Sequence, residues 1–195
     1  MDKLVFATHN AHKLEELRRI AGDKLQIVGL DDIGCREDIP ETADTLRGNA
    51  LQKAQWVKER YGVDCFADDT GLEVEALDGA PGVHSARYCG GEHDSEGNMA
   101  LLLKNMQGKE NRRARFVTEI ALIEGENPPR FFTGEVQGVI LEAPLRGGKG
   151  FGYDPVFRPD CRQEGSFATM TADEKNAVSH RGRAVEALMK YLKTK

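Results

Sequence analysis

The chain has 195 residues, 39% of them apolar and 30% charged, with a formal net charge of −5. That is enough apolar material for one large domain or two small lobes sharing a core, and the acidic balance argues against nucleic acid as a partner, since such binders carry a basic excess. No apolar run approaches the roughly 20 residues that span a bilayer, and the opening MDKLVFATHN lacks the apolar stretch and cleavage site of a signal peptide, so a cytoplasmic protein without a membrane partner is expected. Cys35, Cys65, Cys89 and Cys161 are scattered, which reads as reduced thiols rather than a zinc site.

The elements follow from periodicity. Leu4 to Ala7 is a short apolar strand, Thr8-His9-Asn10 is turn chemistry, and Leu14, Leu17 and Ala21 then recur at helical spacing with polar Lys13, Glu15, Glu16 and Arg18 between them. Residues 25–30 suggest a second strand, and the acidic stretch 31–44 a loop. A second helix is clearer: Thr45 caps it, Leu46, Ala50, Ala54, Val57 and Tyr61 form its stripe, and Gly62 ends it. Cys65-Phe66-Ala67 is a buried-looking strand stopping at Asp68-Asp69-Thr70-Gly71, and Leu72 to Ala76 is a separate strand. Residues 78–94 read as a long loop, Ser95 to Met106 as a third helix, and Phe116–Ile123 and Phe131–Ile140 as strands about an Asn127-Pro128-Pro129 turn. Residues 142–155 are punctuated by Gly and Pro. The last helix opens on the capping box Thr171-x-x-Glu174 and runs to about Leu192. Interleaved helices and strands give the class α/β with a mixed sheet.

Five places could carry chemistry. Thr8, Asn10 and Lys13 stand at a strand-to-helix turn, where free N–H groups and a lysine suit phosphate, although a plain cap has the same composition. Adjacent Asp68 and Asp69 repel each other unless a cation neutralises them, and Mg²⁺ is the usual oxygen-bound remedy. An acidic turn is the plain alternative. Glu41 could supply a further oxygen. Lys53, one turn from Asn49, falls within an apolar stripe, so it either snorkels to water or meets an anion. Gly150-Phe151-Gly152-Tyr153-Asp154-Pro155 could lay a ring against a flat ligand. Finally, Ser179-His180-Arg181 interrupts the last helical pattern: either Arg181 is buried against a partner or the helix breaks, with Ser179 as a new cap.

Together these signals resemble one family, the inosine-triphosphate pyrophosphatases, also called XTP/dITP diphosphatases, in their bacterial form. The likeness runs through Phe6-Ala7-Thr8-x-Asn10-x-x-Lys13, Glu41-Thr42, Asn49-Ala50-x-x-Lys53-Ala54, Ala67-Asp68-Asp69-Thr70-Gly71-Leu72, Gly79 to Tyr88, Gly150 to Pro155 and Glu174-Lys175-x-x-x-Ser179-His180-Arg181. His9 and Lys149 depart from the usual pattern. The resemblance implies an elongated two-lobed α/β fold, with a long mixed β-sheet flanked by helices and an active-site cleft between the lobes, usually as a homodimer. It implies hydrolysis of ITP, dITP or XTP to the monophosphate and pyrophosphate. Mg²⁺ would sit on Glu41 and Asp69, with Asp68 or Asp69 as the base and the other carboxylate also a potential ligand. Substrate would meet Thr8, His9, Asn10, Ala11, His12, Lys13, Asn49, Lys53, Thr70 and Arg87. The base would meet Phe151, Gly152, Tyr153, Asp154, Lys175, Ser179, His180 and Arg181, with Phe151 stacking and Arg181 donating to O6. For Lys175 and Arg181 to grip one ring, the last helix must break between Asn176 and Arg181. A pyrophosphatase for modified pyrimidines and a non-hydrolysing nucleotide sensor are the rival readings.

Overall fold

A computed structural model describes residues 3–91, 94–148 and 151–194. Lys149 and Gly150, singled out above, lie outside the described residues. The chain forms β1 (Lys3–Phe6), α1 (Ala11–Ala21), β2 (Gln26–Val28), α2 (Leu46–Tyr61), β3 (Cys65–Val74), α3 (Ser95–Asn105), β4 (Arg113–Ile123), β5 (Arg130–Ile140), β6 (Phe157–Pro159), α4 (Ala172–Val178) and α5 (His180–Leu192). The sheet is six-stranded and mixed, in the order β2-β1-β3-β4-β5-β6. β1 runs parallel to both β2 and β3, whereas β5 and β6 are antiparallel. The expected α/β class with a mixed sheet is therefore what the chain adopts.

Two compact units emerge. The first comprises Met1–Asp69, Thr118–Gly134 and Arg181–Lys195, and the second Thr70–Val117 and Glu135–His180. In the first, strand side chains alternate between two buried faces. Leu4, Phe6, Phe66, Ile120 and Leu122 join Leu17 and Ala21 of α1 and Ala184, Val185 and Leu188 of α5. Val5, Ala7, Cys65, Ala67, Ala121 and Ile123 join Ala50, Ala54 and Val57 of α2. Burial on both faces explains why these strands read as continuous apolar runs. α2 ends where expected: Gly62 adopts φ 64 and its N–H donates to Lys58 O, a left-handed close that favours glycine.

In the second unit one sheet face is apolar. Leu72, Val74, Phe116, Val136 and Ile140 gather with Met99, Leu102 and Met106 of α3 and with Phe157 and Phe167. Between them point the polar residues: Arg115 bridges Glu73 (2.7 Å) and Glu135 (3.0 Å) across strands.

Two readings change and one is kept. β3 does not stop at Ala67 but runs unbroken to Val74, absorbing Asp68-Asp69-Thr70-Gly71 and the strand expected at Leu72–Ala76. Turn composition misleads there because the carboxylates are neutralised by side chains distant in sequence. β6 was hidden, being three residues long and ending in proline. The last helix breaks as the resemblance requires: α4 ends at Val178, the next residue Ser179 is extended (φ −71, ψ 156), and α5 starts at His180.

Candidate active site

The first unit holds a cluster of carboxylates and cations. β1 pairs with β3 through Val5 with Cys65 and Phe6 with Phe66. Asp68 and Asp69 follow at once on β3, and the Thr8–Asn10 turn follows on β1. The turn is tied locally: Asn10 N–H donates to Thr8 Oγ1 (3.1 Å), and Asn10 Oδ1 accepts from Lys13 N–H (3.1 Å), making Asn10 the cap of α1. His9 Nε2 lies 2.8 Å from Glu37 O, tethering the acidic loop to this turn. Ala11 and His12 form the exposed first turn of α1.

Successive strand residues face opposite ways, so the two aspartates meet different partners. Asp68, 1% exposed, accepts from Lys13 Nζ (3.0 Å) and Arg181 Nε (3.3 Å). Arg181 also donates from Nη1 to Glu16. Asp69 accepts from Asn49 Nδ2 (3.0 Å), and its Oδ1 lies 3.9 Å from Lys53 Nζ. Lys53 donates to Glu41. The lysine on the apolar stripe therefore meets anions, and its side chain is only 8% exposed. Asn49 accepts from Ala43 N–H (2.9 Å), which anchors the end of the Glu41 loop to α2.

These surroundings push the aspartates apart. Burial opposes charge on Asp68, but Lys13, Arg181 and Lys53 outweigh it and hold its carboxyl well below the usual carboxylate range. At Asp69 burial prevails over Lys53 and Lys13, and the carboxyl is raised. Burial also opposes the charge on Glu41, yet Lys53 beside it keeps its carboxyl low. Asp68 is thus a fixed anion, and Asp69 is the more basic of the two.

The second unit holds an aromatic cluster. Phe151, 39% exposed, is one of two large apolar side chains that are exposed among the described residues. Gly152 turns the chain with φ 60. Asp154 Oδ2 accepts from Phe151 N–H (3.0 Å) and from Lys175 Nζ (2.7 Å). Lys175 Nζ also sits 5.0 Å from the Phe151 ring centroid and 5.6 Å from that of Phe167. Tyr153 is buried, its hydroxyl donating to Ser85 O (2.7 Å). His180 is buried and stacks on Phe116 (centroids 4.7 Å apart, 17° between planes).

A family model described as the Ham1 family matches residues 4–191. The chain belongs to the Ham1 family. A dITP/XTP pyrophosphatase of Porphyromonas gingivalis is 55% identical over 98% of this chain and 98% of its own. One from Christiangramia forsetii is 51% identical over 97% and 98%. The structure of a HAM1 protein from Coxiella burnetii, 36% identical, covers 100% of both chains with a TM-score of 0.91.

Within this Ham1 chain, the structure brings Asn10, Lys13, Glu41, Asn49, Lys53, Asp68, Asp69 and Arg181 into one hydrogen-bonded neighbourhood with the Thr8 turn. In the second unit it unites Phe151, Gly152, Asp154 and Lys175. Thr70 is half-buried on β3, Arg87 is half-buried at the end of a 3₁₀ turn, and Ser179 is buried at the helix break. Arg181, expected at the purine edge, donates here to Asp68 and Glu16. Its guanidinium lies between Asp68 and Glu16, because an arginine 2% exposed requires carboxylates beside it. Glu16 was missed as a site residue. It was read as helix surface, but it lies three residues after Lys13, on the same side of α1. Phe116, read only as the start of a strand, and Phe167, not singled out from the sequence, pack beside His180.

Proposed function

We propose that this chain hydrolyses non-canonical purine nucleoside triphosphates (ITP, dITP and XTP) to the monophosphate and pyrophosphate with Mg²⁺. The observation that carries the reading is the pairing of a raised Asp69 carboxyl with Lys53 and Glu41 in a chain whose relatives are named dITP/XTP pyrophosphatases. The donor set suits the ion: Glu41 and Asp69 offer hard carboxylate oxygens and would hold it. Mg²⁺, when bound, would neutralise phosphate charge and acidify water.

The chain's own residues supply the rest. Asp69 takes the proton of the water that attacks the α-phosphorus as pyrophosphate departs. Asp68 stays ionised and keeps Lys13 and Arg181 in place. Lys13, the Asn10-capped start of α1 and Lys53 present positive charge to the triphosphate. In the second unit, Phe151 offers a face for a flat base, and Lys175, held by Asp154, offers a donor to a 6-oxo group. A donor there disfavours the 6-amino group of adenine, whose N–H would face it unpaired. Action as a cytoplasmic homodimer is part of the same proposal. No helix among the described residues is long and apolar enough to cross a membrane.

The test is pyrophosphate release from ITP, dITP, XTP, ATP, GTP and dTTP, with and without Mg²⁺. The proposal expects Mg²⁺-dependent release from the first three far above the others. Equal rates on ATP, or turnover unaffected by chelation, refute it.

A further inference from the structure

Lys53 sits where a cation is wanted. It rises from the apolar stripe of α2, its side chain 8% exposed. Its ammonium donates to Glu41 and lies 3.9 Å from Asp69 Oδ1. These are the two carboxylates suited to the divalent ion. Among the described residues no group of three or more His, Cys, Asp or Glu side chains is placed to hold a metal. Asp68, the nearest further candidate, already accepts from Lys13 and Arg181.

Two consequences follow from charge and coordination. An ion entering between Glu41 and Asp69 would meet an ammonium at close range, and like charges there repel strongly in a partly buried site. Mg²⁺ also seeks six oxygens, of which this pair supplies a minority, so the remainder must come from phosphate and water.

We propose that Lys53 is a built-in placeholder for the divalent ion. In the free enzyme its ammonium bridges Glu41 and Asp69 and keeps the metal out. The triphosphate then draws Lys53 onto its own oxygens, and the ion enters with the nucleotide. The enzyme is thereby kept from holding a metal hydrolytic centre when no substrate is present. This inference rests on Glu41 and Asp69 being the metal carboxylates, and its test separates the two ideas.

Mn²⁺ is titrated into nucleotide-free protein and followed by electron paramagnetic resonance. The placeholder predicts weak binding to the wild type and roughly tenfold tighter binding to Lys53→Met. Lys53→Gln, which keeps a donor to Glu41 without the charge, carries the same expectation should the methionine variant fail to fold. Adding Glu41→Gln to either variant abolishes the gain. Equal Mn²⁺ affinity in wild type and both lysine variants, with binding lost in Glu41→Gln alone, overturns the placeholder and leaves the metal site standing. Tighter binding that survives Glu41→Gln overturns both.

Discussion

Asp68→Asn tests the division of labour between the two aspartates. The side chain is 1% exposed and takes bonds from Lys13 at 3.0 Å and Arg181 at 3.3 Å. Asparagine keeps the shape but removes the charge, leaving two cations short of a partner in a buried place. Breaking a buried pair from one side costs about 3–5 kcal/mol. For a chain of this size each kcal/mol shifts the melting temperature by about 2–4 °C, so the expected fall is about 6–20 °C. Because folding lowers the Asp68 carboxyl, its stabilisation is fully present above about pH 4, the unfolded value, and is lost as pH falls further toward the folded one. Wild type and variant should therefore differ most near neutrality and converge in acid. Calorimetric melts of both proteins across that range, without nucleotide, measure it. Asp69→Asn is the control, because its carboxyl is raised and a neutral group is better tolerated there. An Asp68→Asn variant that melts with the wild type at pH 7, or falls less than Asp69→Asn, refutes the reasoning.

Asp69→Asn should stay folded and lose about 10²–10⁴ in kcat on ITP, read by pyrophosphate release, as expected for loss of a general base. Lys13→Ala should lower kcat/KM for ITP and ATP by the same factor, since it serves phosphate and Asp68 rather than the base; a changed ITP-to-ATP ratio contradicts this. Phe151→Ala should weaken ITP binding by about 1–3 kcal/mol, the worth of a stacked ring, and Phe151→Trp should restore it in a KM or competition assay. Arg181→Ala should slow ITP and ATP alike, because its partners are Asp68 and Glu16. Selective loss on ITP would refute this and place Arg181 at the purine edge.

Much of the fold was legible because the patterns are local. The first unit's strands are apolar on both faces, and the α2 stripe, its Thr45 cap and its Gly62 stop all follow from spacing and turn chemistry. What escaped depends on residues far apart in the chain. Asp68-Asp69-Thr70-Gly71 has the composition of a turn, yet it lies inside a ten-residue strand. Asp68 is tolerated there because Lys13, 55 positions away, and Arg181, 113 positions away, neutralise it, and Asp69 because Asn49 and Lys53 face it. Glu16 escaped for the same reason, its partner being 165 residues distant. Lys53 was half legible: its place on the stripe showed that it must either snorkel or meet an anion, but only the fold supplies Glu41 and Asp69.

The site owes its asymmetry to the pleat of one strand. Two identical carboxyls, adjacent in sequence, are turned to opposite faces of β3. One face carries Lys13 and, through the break at Ser179 that starts α5, Arg181. The other carries Asn49 and Lys53 from α2, with Glu41 on the loop before it. On the first face both Lys13 and Arg181 donate to Asp68, Arg181 being shared with Glu16; the second face shares a single lysine between two carboxylates. Asp68 is therefore driven to permanent charge, and Asp69 is left able to accept a proton. Separation of the pair by environment is how two like carboxyls come to take different roles. It also explains why none of the three helices can be exchanged lightly, since α1 and α5 set the anchor while α2 sets the base.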